Sequence, residues 1–339
     1  MRTILAGVVL LAVLAACRTR ATDPDLVEEA RVAMGSALRI SVWTTDREGA
    51  ATAIAAAFTE FDRLESALSV WRPGSDVERL NAGAGGPAVA VGPDTRTVLR
   101  AARDASALTG GKFDITFGAL SNVWKFDHDQ DNRVPAPEAI AARLPFVDYE
   151  AVEIDEARGT ARIARAGVRV HLGGIGKGYA MDRAAALLRD RGFQDFLIQA
   201  GGDLYAAGRR GDRAWRVGLA DPRGAASESF ATIELSDETF STSGDYERFF
   251  EQDGVRYHHL LDPDTGQPAR LCRSVTILAK SALQADWLST GVFILGPEEG
   301  LALVERLPDV EAVIVTAANE VKVSSGLGQR LRLEREPTP

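Results

Sequence analysis

Three segments of this 339-residue chain carry side chains able to handle a charged phosphate compound. The first, His171-Leu172-Gly173-Gly174-Ile175-Gly176-Lys177-Gly178, follows an apolar stretch and opens a helical pattern, where backbone N–H groups can face an anion. It is not a Walker loop, because His171 stands where the first glycine belongs and Gly178 stands where Ser or Thr does. Glycines needed for close packing explain the spacing equally well; Lys177 favours the anion, since a cation at a helix start opposes the dipole unless an anion sits there too. The second is Asp286 with Thr290, four residues apart on one helix face, a hard-oxygen pair that suits Mg²⁺. Spacing alone explains this pair more simply as a helix-start Asp and a Thr bonded back to its own backbone. The third runs from Phe240 to Tyr246 and from His258 to Gly266. The adjacent His258 and His259 lack a third zinc ligand at metal spacing, and a Ser243, His259 and Asp262 triad lacks the Gly-x-Ser-x-Gly elbow. Residues 127–138 follow calcium-loop spacing, with Asn132 in place of the turn glycine and Pro135 and Pro137 at the exit; a solvated acidic loop accounts for them better.

The elements that must position these groups form an α+β pattern with mixed or antiparallel sheets. Helical spacing of Ile54, Ala57, Phe58, Phe61 and Leu64 predicts a helix over 46–68, and Ser75 with Glu78 predicts a capped short one. Further helices are expected over 94–108, 179–191, 282–295 and 297–307. Strands are expected over 37–43, 152–154, 161–163, 168–172, 196–199, 215–219, 231–235, 274–279 and 312–316. No repeat and no Pro/Ser-rich linker divides the chain.

Ahead of this domain, Ile4–Val13 is an apolar run too short to span a bilayer, and Leu14-Ala15-Ala16-Cys17 closes it in the manner of a bacterial lipobox. The organisation expected is a lipoprotein signal peptide over 1–16, a lipidated Cys17 with its tether over 17–33, and one catalytic domain over 34–335. Export follows, with a lipid anchor facing the periplasm; Arg18 after the cysteine points to the outer membrane. Two cysteines exclude a disulfide scaffold, and Cys272 reads as a strand residue rather than a nucleophile. With 39 basic against 48 acidic residues, nothing in the bulk charge draws the chain onto nucleic acid. A hydrophobic content of 45% fits a folded globular domain.

Taken in order, the segments resemble the ApbE-like FAD:protein FMN transferases. The resemblance rests on Met34-Gly35-Ser36, on Thr109 through Gly118 with Trp124 and Phe126, on His171 through Asp182, and on Gly201-Gly202-Asp203. Ser241 through Tyr246, His259 through Gly266 with Pro268, and Ala285-Asp286 through Thr290 complete it. It implies Mg²⁺-dependent cleavage of FAD, transfer of FMN to a Ser or Thr of an acceptor flavoprotein with an Asp-x-Ser/Thr-Gly-Ala-Ser/Thr motif, and release of AMP. Met34, Trp71, Lys112, Phe113, Asp114, His171, Lys177 and Leu261 fall at flavin-nucleotide positions. Asp286, Thr290 and the Gly174 carbonyl fall at metal positions. His171 replaces an Asp usual in that family, which puts its contact with FAD in question. Within this reading Lys177 is the charge-neutralising cation and His259 the proton acceptor, with Asp245 and Asp262 as further candidates. A metal-dependent FAD pyrophosphatase and a non-turning-over FAD-binding lipoprotein are the alternatives.

Overall fold

The central strands carry runs of apolar and small residues, and the computed structural model, which describes residues 23–339 except His128 and Ala226, joins eight strands into one sheet. They are Asp25–Ala33, Ser36–Thr44, Phe196–Ala200, Asp203–Ala207, Glu238–Gly244, Cys272–Ala279, Glu311–Thr316 and Val321–Val323. Their order in space is their order in the chain, and every neighbouring pair is antiparallel. The α+β expectation with antiparallel sheets therefore holds.

Five helices fill the excursion between the second and third strands: α1 (Arg47–Leu68), α2 (Asp76–Ala82), α3 (Pro93–Leu108), α4 (Pro137–Arg143) and α5 (Gly176–Asp190). Two more, α6 (Ala282–Leu295) and α7 (Pro297–Val304), follow the sixth strand. Asp46 starts α1 by accepting from Gly49 N at 2.9 Å, and the helix then buries Ile54, Phe58, Phe61, Leu64 and Leu68 at three- and four-residue spacing. Emptying one of its fully buried rings, as in Phe61→Ala, costs about 3–5 kcal/mol. Helices α1, α5 and α6 pack side by side on one face of the sheet. Against the other face lies a three-stranded sheet of Trp215–Ala220, Ser229–Leu235 and Leu331–Leu333, closed by Leu204, Trp215, Val217, Phe230, Ile233 and Phe240.

Helix α6 is buried on every side, so a carboxylate or hydroxyl on it needs a partner inside the protein. Asp182 of α5 holds its start, accepting from Ala282 N at 2.8 Å, Leu283 N at 3.0 Å and Ser281 Oγ at 2.7 Å. Gly178 lets α5 come this close: a Cβ there would stand 2.2 Å from the Ala282 carbonyl oxygen.

Several boundaries differ from expectation. The domain begins by Asp25, not Met34, because Asp25–Ala33 pairs residue for residue with Ser36–Thr44 as the edge of the main sheet. The tether reading for 25–33 failed because the many charges there lie on an edge strand open to water. At the other end Thr338 still docks, its hydroxyl donating to Asp221 at 2.8 Å. Residues 168–172 form no strand: Arg169 makes an isolated bridge with Phe117, the His171 amide donates to Ile115 O at 2.8 Å, and the Val170 backbone pairs with the Asn81 side chain instead of a neighbouring strand. The 127–138 segment is no calcium loop: Asp127 pairs with Arg248, Asp131 pairs with Lys125 at 3.3 Å, and Glu138 sits in the first turn of α4. Cys272 starts a strand as expected, and burial pushes its thiol up to about 12. The signal segment and Cys17 lie outside the described residues, as does His128.

Candidate functional site

The two strands after Phe196 make a tight turn through Gly201 and Gly202 that delivers Asp203, 3% exposed, to the start of α5. There its Oδ2 meets Lys177 Nζ at 2.6 Å. Burial alone would lower the Lys177 pKa, but Asp203 and then Asp286 outweigh it, and the net shift is upward. Lys177 therefore stays charged. The anion that its place at a helix start demanded is supplied first by the protein itself, which weakens the dipole argument for an external phosphate.

Asp286 faces the same point from α6. Its Oδ2 accepts from Gly178 N at 2.8 Å, and burial, then the nearby Asp203, raises it to about 7, against the pull of Lys177. Two buried carboxylates thus share one lysine, and the cluster has room for another positive charge. Thr290 Oγ1 lies 3.1 Å from Ser243 Oγ. A side chain on Gly174 would put its Cβ 3.2 Å from Thr290 Oγ1 and 3.4 Å from the Phe113 ring, so the absence of a side chain lets the loop backbone approach both.

A chain of hydroxyls runs behind this cluster. Ser241 Oγ donates to Asp203 Oδ1 at 2.5 Å and lies 3.3 Å from Ser289 Oγ, which is 2.8 Å from Ser243 Oγ. Ser243 is thereby occupied with Ser289 and Thr290 and belongs to no triad. Ser241 and Ser243 point to α6 because they are two apart on one strand.

These groups floor a cavity of about 370 Å³, also lined by Lys112, Phe113, Asp114, His171, His259 and Leu261. A second cavity of about 490 Å³ continues it past His171, Lys177 and Arg248 to Met34 and Trp71. Every flavin-nucleotide and metal position implied by the resemblance, and His259 with them, therefore lines one continuous cleft; the further base candidates Asp245 and Asp262 are not among its lining residues. Met34 reaches it from the two-residue turn Met34-Gly35, held at φ 49°, a conformation that favours glycine. Its amide donates to Glu65 Oε2 at 3.1 Å.

The roles within the cleft differ. Asp114 is a structural carboxylate: Oδ1 accepts from Thr116 N and Oγ1 at 2.7 and 2.6 Å, Oδ2 accepts from Tyr149 N at 3.1 Å, and burial still lifts it to about 6. Lys112 Nζ donates to Asp262 and Asp264, each at 2.8 Å, so Asp262 is a tether for Lys112 and no free base. Asp245 is likewise excluded as a base, gripped by both Arg223 nitrogens at 2.7 Å. His171 lies between Phe117, 5.3 Å away, and the edge of Trp71 at 6.4 Å, with Nδ1 accepting from Gly173 N at 3.1 Å. Burial lowers it to about 4, so it is a neutral ring and no substitute for a carboxylate.

The two adjacent histidines separate cleanly. His258 is 2% exposed, its Nε2 is 2.8 Å from Ala269 O, and its ring stands edge-on to Phe293. His259 lines the cavity, and its Nδ1 is shielded from water with no hydrogen-bond partner among the described residues. Burial, then Arg248, lowers it to about 3, so it is neutral. Among the described residues no three of His, Cys, Asp or Glu gather as a zinc site would require. The sequence reading gave no role to Asp203, Arg248, Ser241 or Ser289. Only the Ser/Thr alternation over 239–243 could have signalled the hydroxyl chain.

Fold and cleft together define an antiparallel α+β protein with one elongated cleft, at whose floor a buried lysine meets two carboxylates and along which aromatic and imidazole rings stand. The ApbE family model matches residues 34–314, and the chain belongs to that family. It is similar to the FAD:protein FMN transferase of Treponema pallidum (strain Nichols), with 34% identity over 322 residues, 90% of this chain and 88% of that protein. A FAD:protein FMN transferase of Klebsiella pneumoniae (strain 342) is 32% identical over 312 residues, 92% of this chain and 95% of that one. Among solved structures, the ApbE protein of Thermotoga maritima superposes with a TM-score of 0.83 at 33% identity, covering 90% of this chain and 99% of its own. The flavin transferase ApbE of Vibrio cholerae does so with a TM-score of 0.80 at 28% identity, covering 91% and 99%.

Proposed function

We propose that this protein is a Mg²⁺-dependent FAD:protein FMN transferase. A Ser or Thr hydroxyl of an acceptor flavoprotein attacks the phosphorus on the FMN side of the pyrophosphate, the bond to the bridging oxygen breaks, and AMP leaves. The observation that carries the reading is the convergence, in one cleft, of Lys177 with its two carboxylates, an oxygen set on α6, and a buried neutral histidine. Membership of the ApbE family and the names of its relatives support it.

The residues present fit a hard divalent cation. Asp286, pushed up to about 7 in a cluster with Asp203, gains most from a second positive charge, and Gly174 lines the same cavity with its backbone up against Thr290. Asp286, Thr290 and the Gly174 carbonyl would hold Mg²⁺, which would neutralise and orient the pyrophosphate. Lys177 brings a fixed positive charge to the same point without reorganisation. Burial holds His259 neutral, ready to take the acceptor's proton at Nδ1, and the charge of a bound pyrophosphate strengthens it as a base. His171, Phe117 and Trp71 offer flat surfaces to a ring system.

Export and anchoring belong to the same proposal and rest on sequence: the apolar run ending in Leu14-Ala15-Ala16-Cys17 supports a lipid anchor on a periplasm-facing membrane, the outer one by the Arg18 criterion. Incubation of the soluble domain with FAD, Mg²⁺ and a flavoprotein carrying the Asp-x-Ser/Thr-Gly-Ala-Ser/Thr motif tests the reaction. AMP should appear in step with protein-bound flavin, and chelator should stop both. Free FMN with unlabelled protein identifies a pyrophosphatase, and intact FAD identifies a binder.

A further inference from the structure

The cleft is open on a second side. Gly201, Gly202, Asp203, Thr242 and Glu247, which line the inner cavity, also line a groove of about 920 Å³ that leads away from it over the opposite face of the main sheet. One wall is Leu197, Gln199, Leu204 and Phe240 of the main sheet; the other is Val217, Gly218 and Ala220 with residues 221–225 that follow. Among the described residues Trp215–Ala220 is the edge of its three-stranded sheet, hydrogen-bonded on one side only, to Ser229–Leu235. We propose that this groove seats the acceptor protein, whose Ser- or Thr-bearing segment lies along the edge strand in extended form and passes its hydroxyl over Gly201 and Gly202 into the site.

The inference rests on the transfer reading, and three observations carry it. The inner cavity and the Met34–Trp71 cavity form one elongated space on the helix side, which a dinucleotide fills, so a second, macromolecular substrate must come from elsewhere. The groove meets the inner cavity at Asp203, the partner of Lys177, where the phosphorus must lie for that lysine to act on it. Its neck, shared by the two spaces, is the Gly201-Gly202 backbone, where no side chain narrows the passage between them. An edge strand with unpaired N–H and C=O groups is a ready template for an added strand. Of the charged side chains on the groove, Arg223 is engaged by Asp245 at 2.7 Å and Asp221 by Arg335 at 2.8 Å, which leaves main chain and shape to carry most of the recognition.

The test uses Ala220→Arg and Ala225→Arg, two exposed positions on the groove wall away from the Lys177 cluster. The probe is a purified flavoprotein domain carrying the Asp-x-Ser/Thr-Gly-Ala-Ser/Thr motif. Each variant should raise the KM for that domain at least tenfold, with FAD affinity by fluorescence titration unchanged within twofold and an unaltered melting temperature. Wild-type KM in both variants overturns the groove, as does a loss of FAD affinity parallel to the loss of transfer. A wild-type protein that labels nothing refutes the transfer reading itself, a result visible before either variant is compared.

Discussion

Replacing Gly178 by alanine probes the joint on which the site depends. The added Cβ would stand 2.2 Å from the Ala282 carbonyl oxygen and 2.7 Å from Asp286 Cβ, both on α6 and neither free to swing aside. An ordinary C···O contact is about 3.3 Å, so α5 and α6 must part by about 1 Å. The Gly178 N to Asp286 Oδ2 bond, now 2.8 Å, then stretches past hydrogen-bonding range. Losing a bond to a buried carboxylate costs about 1.5–3 kcal/mol and the overpacking another 1–3, against a helix-propensity gain of at most about 1 kcal/mol. The net expectation is a loss of about 2–5 kcal/mol in urea unfolding at pH 7. FMN transfer at fixed Mg²⁺ should fall too, because Asp286 moves off Gly174 and Thr290. A Gly178→Ala protein within about 0.5 kcal/mol of wild type and equally active would refute the close-packed joint.

Two further outcomes follow from the same geometry. Asp286→Ala should cut FMN transfer at least about a hundredfold and abolish its response to added Mg²⁺, while Thr290→Val, which removes a neutral oxygen, should be milder; steady-state rates against Mg²⁺ concentration check both. Burial lowers His258 from 6.5 to about 4, so the unfolded chain binds its proton first; its share of stability, about 3 kcal/mol, should be intact above pH 6.5 and be lost as pH drops through that window, and His258→Phe should make the slope of urea midpoints shallower by that share while the shares of His171 and His259 remain.

Much of the frame was legible in the sequence because local signals and packing agree there. The apolar spacing that predicts α1 is the spacing it buries, and Ser75 caps α2 by accepting from Glu78 N at 2.9 Å. The strand at Asp203–Ala207 escaped notice because it follows Gly201-Gly202, which reads as a loop, and all five of its residues are buried, leaving no alternation. Glu238–Gly244 was missed for a related reason: its Ser and Thr side chains read as polar loop, yet Ser243 pairs with Ser289 of α6 and Thr242 with Thr276 of the neighbouring strand. Residues 168–172 alternate like a strand but serve instead to bury Val168, Val170 and Leu172 on the way into α5.

The site was legible as a set of residues and less so as a set of roles. Lys177, His259, Asp286 and Thr290 were assigned from their types and from the resemblance, and all four line the inner cavity. Asp203 carried no role because its partner Lys177 is far from it in the chain, and nothing local in Gly201-Gly202-Asp203 distinguishes a buried counter-ion from a turn carboxylate. Asp262 and Asp245 looked reactive for the opposite reason: a carboxylate's hydrogen bonds to Lys112 or Arg223 cannot be read from spacing.

Mass spectrometry of the acceptor flavoprotein after reaction tests the central claim most directly. With FAD the acceptor should gain one FMN joined through phosphate to a Ser or Thr, in a bond that survives denaturation, with AMP released in equal amount. FMN offered alone should leave the acceptor unlabelled, since it lacks the AMP leaving group and the cleft has no evident means to expel oxide. Labelling that proceeds equally well from FMN, or an adduct that retains adenine, would contradict the account.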